Sequence, residues 1–153
     1  MDKQNIILNF TLSRRETSKD SNSETVRIKI SKEKLLFERK FGGFRAPKNE
    51  RFEKKINLEK LNLINEFIQE NDLNKDLNEQ KETEGTGVAG YIKIEIFQPK
   101  ITTIIIEGKT SIWGSDDYIE KYWGKEFVES KTNIENKEYF DKARNFVRFI
   151  EKL

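Results

Sequence analysis

The residues able to do chemistry in this chain are Asp, Glu, Lys, Arg, Tyr, Ser and Thr, because its 153 residues include no histidine and no cysteine. That removes thiol nucleophiles, disulfides, histidine-dependent triads and the usual zinc ligands. Three groupings of the remaining types have a suggestive spacing. Glu107-Gly108-Lys109 follows Ile104-Ile105-Ile106; an acid and a lysine at a strand end could hold Mg²⁺ and polarise a phosphate. Asp116, Asp117 and Glu120 cluster after Gly114. Carboxylates there could ligate a hard cation, but at a helix start they also cap N–H groups and complement the dipole, and that structural role is the expected one. The third grouping is the segment 38–55.

That segment holds Arg39, Lys40, Arg45, Lys48, Arg51, Lys54 and Lys55 against Glu38, Glu50 and Glu53, a net +4, with Phe41, Phe44 and Phe52 around Gly42-Gly43. Aromatic and arginine residues together are the composition of protein-binding anchors. Basic residues with stackable aromatics also suit single-stranded nucleic acid. The competing structural reading sends the phenylalanines into the core and leaves the charges flanking them. Phe41, Phe44, Arg45 and Arg51 are the partner-binding residues expected on this ground, with a protein partner first and single-stranded nucleic acid as the alternative.

Three resemblances accompany these groupings. Asp72-x-Asn74-x-Asp76-x-Asn78 resembles the first half of an EF-hand calcium loop. Position six is Leu77 rather than glycine, and position twelve is Thr83 rather than glutamate, so a solvated linker is expected and no metal. Glu107-Gly108-Lys109 resembles the E-x-K half of the PD-(D/E)xK nuclease signature, which implies a Mg²⁺-dependent nuclease using Glu107 and Lys109. The second acid such a nuclease needs would be Glu95, about 13 Å from Glu107 when counted along the strands. Gly42-Gly43-Phe44 at a strand end, followed by a helix, an isoleucine-rich hairpin and a C-terminal helix, resembles the layout of emfourin-like metalloprotease inhibitors over about 36–110 plus one terminal helix. An added N-terminal strand and a second C-terminal helix depart from that layout.

The elements that must position these residues are written in the apolar spacing. Ile6, Leu8, Phe10 and Leu12 alternate, as do Val26, Ile28 and Ile30 and then Leu35, Phe37, Arg39 and Phe41. These predict three strands, the last two forming a hairpin turning near Lys32-Glu33. Segment 13–25 reads as a polar loop, and Gly42-Gly43 with Pro47 as a break. Asn57 is a predicted N-cap for a helix with Leu58, Leu61, Ile64, Phe67 and Ile68 on its apolar stripe. Segment 71–90 reads as a mobile connection. Ile92, Ile94 and Ile96 alternate, as do Ile104 and Ile106; pairing Ile92 with Ile106 and Ile94 with Ile104 puts the isoleucines on one face, and a one-residue slip would mix the faces. Ser115 or Asp116 can cap a helix carrying Ile119, Tyr122, Trp123 and Phe127. Asn136 can cap a last helix carrying Tyr139, Phe140, Ala143, Phe146, Val147, Ile150 and Leu153.

The expected fold is therefore α+β in one domain over 1–153: a mainly antiparallel sheet of five to six strands with about three helices, in the order β-β-β-α-β-β-α-α. Ile, Leu, Val and Phe supply about 28% of residues, above the ~20% typical of disordered chains. A net charge of +2 gives no global field that would argue for DNA or an anionic membrane. No apolar run approaches the ~20 residues of a membrane span. The expectation is a soluble, intracellular, cytoplasmic protein, more a non-enzymatic interaction module than a catalyst: a small inhibitor, immunity protein or adaptor, with no cofactor and no membrane partner.

Overall fold

The computed structural model describes residues 6–15, 23–43, 46–74, 89–97, 102–108, 125–129 and 131–153. Among these residues six strands form one antiparallel sheet: β1 (Ile6–Arg15), β2 (Ser23–Ser31), β3 (Lys34–Gly42), β4 (Glu50–Lys55), β5 (Ala89–Ile96) and β6 (Thr102–Gly108). Their order across the sheet is β4-β3-β2-β1-β5-β6. The first four strands are sequential neighbours. Helix α1 (Leu58–Glu70) then lies between edge strand β4 and β5, which pairs with central β1. A single turn α2 (Lys125–Val128) and a long α3 (Lys131–Lys152) follow. The architecture is α+β with an antiparallel sheet.

Alternation decides which face is buried. Leu8, Phe10 and Leu12 of β1, Val26, Ile28 and Ile30 of β2, Leu35 and Phe37 of β3, and Ile92 and Ile94 of β5 are buried together with Ile64 and Ile68 of α1 and Tyr139, Phe140, Ala143, Phe146, Val147 and Ile150 of α3. The helices cover this face. Phe10 packs on Phe146 with ring centroids 5.0 Å apart, and Phe67 stacks on Phe149 at 4.6 Å. On the other face of β2, Arg27 and Lys29 are exposed.

The β2–β3 turn falls at Lys32-Glu33 as the alternation predicted, and Ser31 Oγ closes it by accepting the Lys34 N–H at 3.1 Å. The β5–β6 register is also the predicted one: Ile92 faces Ile106 and Ile94 faces Ile104. Asn57 caps α1, its Oδ1 accepting the Lys60 N–H at 2.9 Å. The apolar stripe of α3 is buried through Ile150, with Leu153 half-buried.

Five expectations are corrected. The element order begins β-β-β-β-α, because Glu50–Lys55 is a strand; it has one apolar residue, Phe52, and so shows no alternation. The polar segment 13–25 is strand at both ends: Ser13, Arg14 and Arg15 pair with Thr25, Glu24 and Ser23. Main-chain hydrogen bonds hold a ladder whatever the side chains are, and Ser13 and Thr25 add a 3.1 Å hydroxyl contact. Segment 71–90 is structured at its start and end, with Leu73 buried and Ala89-Gly90 in β5. Leu58 is 72% exposed, as the first residue of α1, and stands off the stripe. Finally α3 starts at Lys131, leaving Asn136 inside it; Lys131–Glu135 offers only Ile134 as an apolar residue, 46% exposed, so no period marks that turn.

The end of α1 explains Asp72. Leu73 N–H donates to Ile68 O at 2.9 Å and Asp72 N–H to Gln69 O at 3.2 Å, around Asp72 at φ 53°. This is a Schellman closure, with Leu73 and Ile68 both in the core cluster as its apolar contact. Asp72 thus serves as the left-handed residue of a helix end. Asp76 and Asn78 lie outside the described residues, as do Asp116, Asp117, Glu120 and Lys109. Buried Tyr139 donates its hydroxyl to Leu73 O at 3.0 Å, tying α3 to that closure, and burial holds its phenol above the ordinary range.

Candidate partner-binding site

The segment 38–55 takes in the end of β3, the connection after it, and β4. Strand pairing brings Phe37 opposite Phe52, Glu38 opposite Arg51 and Arg39 opposite Glu50. Opposed residues share a face, so Phe37, Arg39, Phe41 and Phe52 lie on the helix-covered side, while Glu38, Lys40, Arg51, Glu53 and Lys55 lie on the other. Phe37 is fully buried and stacks on Phe52, centroids 4.6 Å apart and planes 8° from parallel. The Lys54 ammonium sits 4.9 Å from the Phe52 centroid. This stack anchors β4, which otherwise presents charges.

Of the four residues singled out by sequence, the structure separates two. Phe41 is half-buried at the end of β3, opposite Glu24, and its N–H donates to Asn49 Oδ1 at 2.9 Å. Arg51 stands on the opposite face, 63% exposed, 3.5 Å from Glu38 and 3.6 Å from Glu53. Phe44 and Arg45 lie outside the described residues. Gly43 has φ 108°, a conformation L side chains rarely adopt, so the turn out of β3 requires glycine there.

The open edge of β4 has a defined hydrogen-bonding phase. Ile56 N–H donates to Glu33 O at 2.9 Å, in the register that pairs Lys55 with Lys34. Antiparallel pairs alternate between bonded and non-bonded, so Glu50, Phe52 and Lys54 direct their main-chain groups at β3. Arg51, Glu53 and Lys55 direct theirs outward, where no further strand follows among the described residues. Four of the six β4 residues are exposed and the other two half-buried.

Sequence reasoning missed the role of Arg39. Its guanidinium meets Glu50 of β4 at 3.1 Å, Glu151 of α3 at 2.5 Å and Glu24 of β2 at 3.5 Å. Burial alone would lower its pKa, but the Glu151 hydrogen bond and charge, with Glu24 and Glu50, raise it overall. It also lies 5.3 Å from the Phe37 ring centroid. Beside it opens a cavity of about 300 Å³ lined by Leu12, Glu24, Val26, Arg39, Arg144, Val147 and Arg148. The signal was available: Arg39 is in phase with Leu35 and Phe37, and an inward-phased charge needs acid partners.

Glu107 lies opposite Tyr91 and Glu95 opposite Thr103, the separation expected from sequence. Among the described residues no group of three or more acids is placed to hold a metal. Among them, too, no helix is long and apolar enough to cross a membrane. No protein-family model matches the chain, and no curated protein matches it.

Proposed function

We propose that this chain is a protein-interaction module, in the manner of a small inhibitor, immunity protein or adaptor, that recognises its partner at the β4 edge and the adjoining 42–49 connection. The observation that carries this reading is the edge itself. Outward main-chain donors and acceptors at Arg51, Glu53 and Lys55 can take a partner strand, and the Phe37–Phe52 stack holds them in place beforehand. Preorganisation reduces the ordering cost of binding. Phe41, at the end of β3, is a side-chain anchor in this reading and Arg51 a charge partner on the edge, with Phe44 and Arg45 proposed as further anchors from the sequence.

Single-stranded nucleic acid draws less support. Stacking requires exposed rings beside cations, whereas Phe37 and Phe52 are stacked on each other, and Phe41 is on the opposite face from Lys40 and Arg51. The test is capture from native lysate with wild type, Phe44→Ala and Arg51→Glu. The reading expects a protein retained by wild type and lost by both variants, with little change on nuclease treatment. Retention of the same protein by both variants overturns the assignment of this edge, and loss of all bound material on nuclease treatment overturns the class.

A further inference from the structure

We propose that the β4 edge also pairs with the β4 edge of a second copy of this chain, antiparallel about a two-fold axis at Phe52. The inference rests on the reading of that edge as a recognition surface and names one occupant for it. Only Arg51, Glu53 and Lys55 have outward main-chain groups, so an antiparallel partner must bring the same set to face them. A two-fold axis must therefore pass through a residue, not between two residues. Centred on Glu53, the pairing would oppose Glu53 to its own copy and Arg51 to Lys55. Centred on Arg51, it would oppose two arginines, and centred on Lys54, two lysines.

Centred on Phe52, every charged pair within the strand is opposite in sign. Arg51 faces Glu53 of the second copy and Glu50 faces Lys54, each twice by symmetry. The sequence Glu50-Arg51-Phe52-Glu53-Lys54 is thus charge-complementary to its own reverse. The main chain supplies four hydrogen bonds between copies, from N–H and C=O of Arg51 and Glu53 on each. Charges on an edge strand ordinarily block sheet extension; here centring on any of the other five β4 residues sets a charge against its own copy, and only the Phe52-centred register does not. Glu50, Arg51 and Glu53 are exposed on the isolated chain, and Phe52 and Lys54 are half-buried. An isologous contact of this kind closes after two copies and does not propagate.

The experiment is sedimentation velocity on the purified chain from about 10 to 500 µM, the range suited to a small interface. Wild type should pass from monomer to dimer across that range, less readily as salt is raised. Arg51→Glu and, separately, Glu53→Arg should each weaken the dimer by about tenfold, because each creates two like-charge contacts per dimer. The double variant Arg51→Glu/Glu53→Arg, made together with Glu38→Lys and Lys34→Glu so that each side chain keeps an ion partner on β3, exchanges the signs and should restore dimerisation. Circular dichroism should show both single variants folded, since the two side chains are 63% and 45% exposed. A wild-type chain that stays monomeric throughout overturns the proposal, as does a dimer indifferent to the single variants or a double variant that fails to recover. Self-pairing and partner binding fail separately: a dimer that captures no foreign protein defeats only the latter, and a monomer whose capture is lost on Arg51→Glu defeats only the former.

Discussion

The hairpins at the two edges of the sheet are built in opposite ways. In β5–β6 the register follows from alternating isoleucines, because one face of β5 must be buried and a slip would expose it. In β3–β4 the outer strand has a single apolar residue, and its position is held by one ring stack and a set of ion pairs, Arg39–Glu50, Arg51–Glu38 and Lys34–Glu53. The first hairpin is specified by what water excludes, and the second by a single anchor and charges that stay wet. Surface ion pairs contribute little individually, so the second hairpin should be the more easily opened and the better suited to exchange its contacts for a partner's.

The largest expected effect tests the anchor. Phe37→Ala, at a fully buried site, should cost about 3–5 kcal/mol in urea unfolding. Phe52→Ala, half-buried on the same stack, should cost about 1–2 kcal/mol and loosen β4 without unfolding the rest. Equal losses for the two would mean that β4 is integral to the core and would erase the contrast between the hairpins.

Smaller effects probe the segment joining the two hairpins. Tyr139→Phe leaves Leu73 O without its buried donor and should cost about 1–2 kcal/mol. The wild-type phenol has a raised pKa, so its contribution is complete below the ordinary tyrosine range and is lost as pH rises through it; the wild type should therefore lose stability above pH ~10 more steeply than Tyr139→Phe. Asn57→Ala removes the cap of α1 and should cost about 1 kcal/mol. The smallest change is a gain. Asp72→Gly relieves a left-handed aspartate and should stabilise by about 0.5 kcal/mol in thermal unfolding, whereas an equal loss would show that the aspartate side chain has a bond of its own there.

The same contrast explains what was legible in advance. The β5–β6 register, the Lys32-Glu33 turn, the Asn57 cap and the α3 stripe were readable because apolar periodicity or cap chemistry encodes them locally. Strand β4, the polar ends of β1 and β2, and the first turn of α3 were not, since main-chain pairing and tertiary docking hold them without an apolar period. At the candidate site the composition of 38–55 singled out the segment, but the strand alternation that sends Phe52 inward and Arg51 outward could be applied only once β4 was known. The Glu151 partner of Arg39 is 112 residues away in sequence, a distance over which no local pattern reaches.

Amide hydrogen exchange across β4, followed at low concentration where the chain is monomeric, tests the central claim most directly. An open edge anchored to β3 predicts alternation: slow exchange at Phe52 and Lys54, whose N–H groups point into the sheet, and fast exchange at Arg51, Glu53 and Lys55. Uniformly fast exchange would show that β4 is not held as a strand, uniform protection would show that the edge is already covered, and either result would contradict the account.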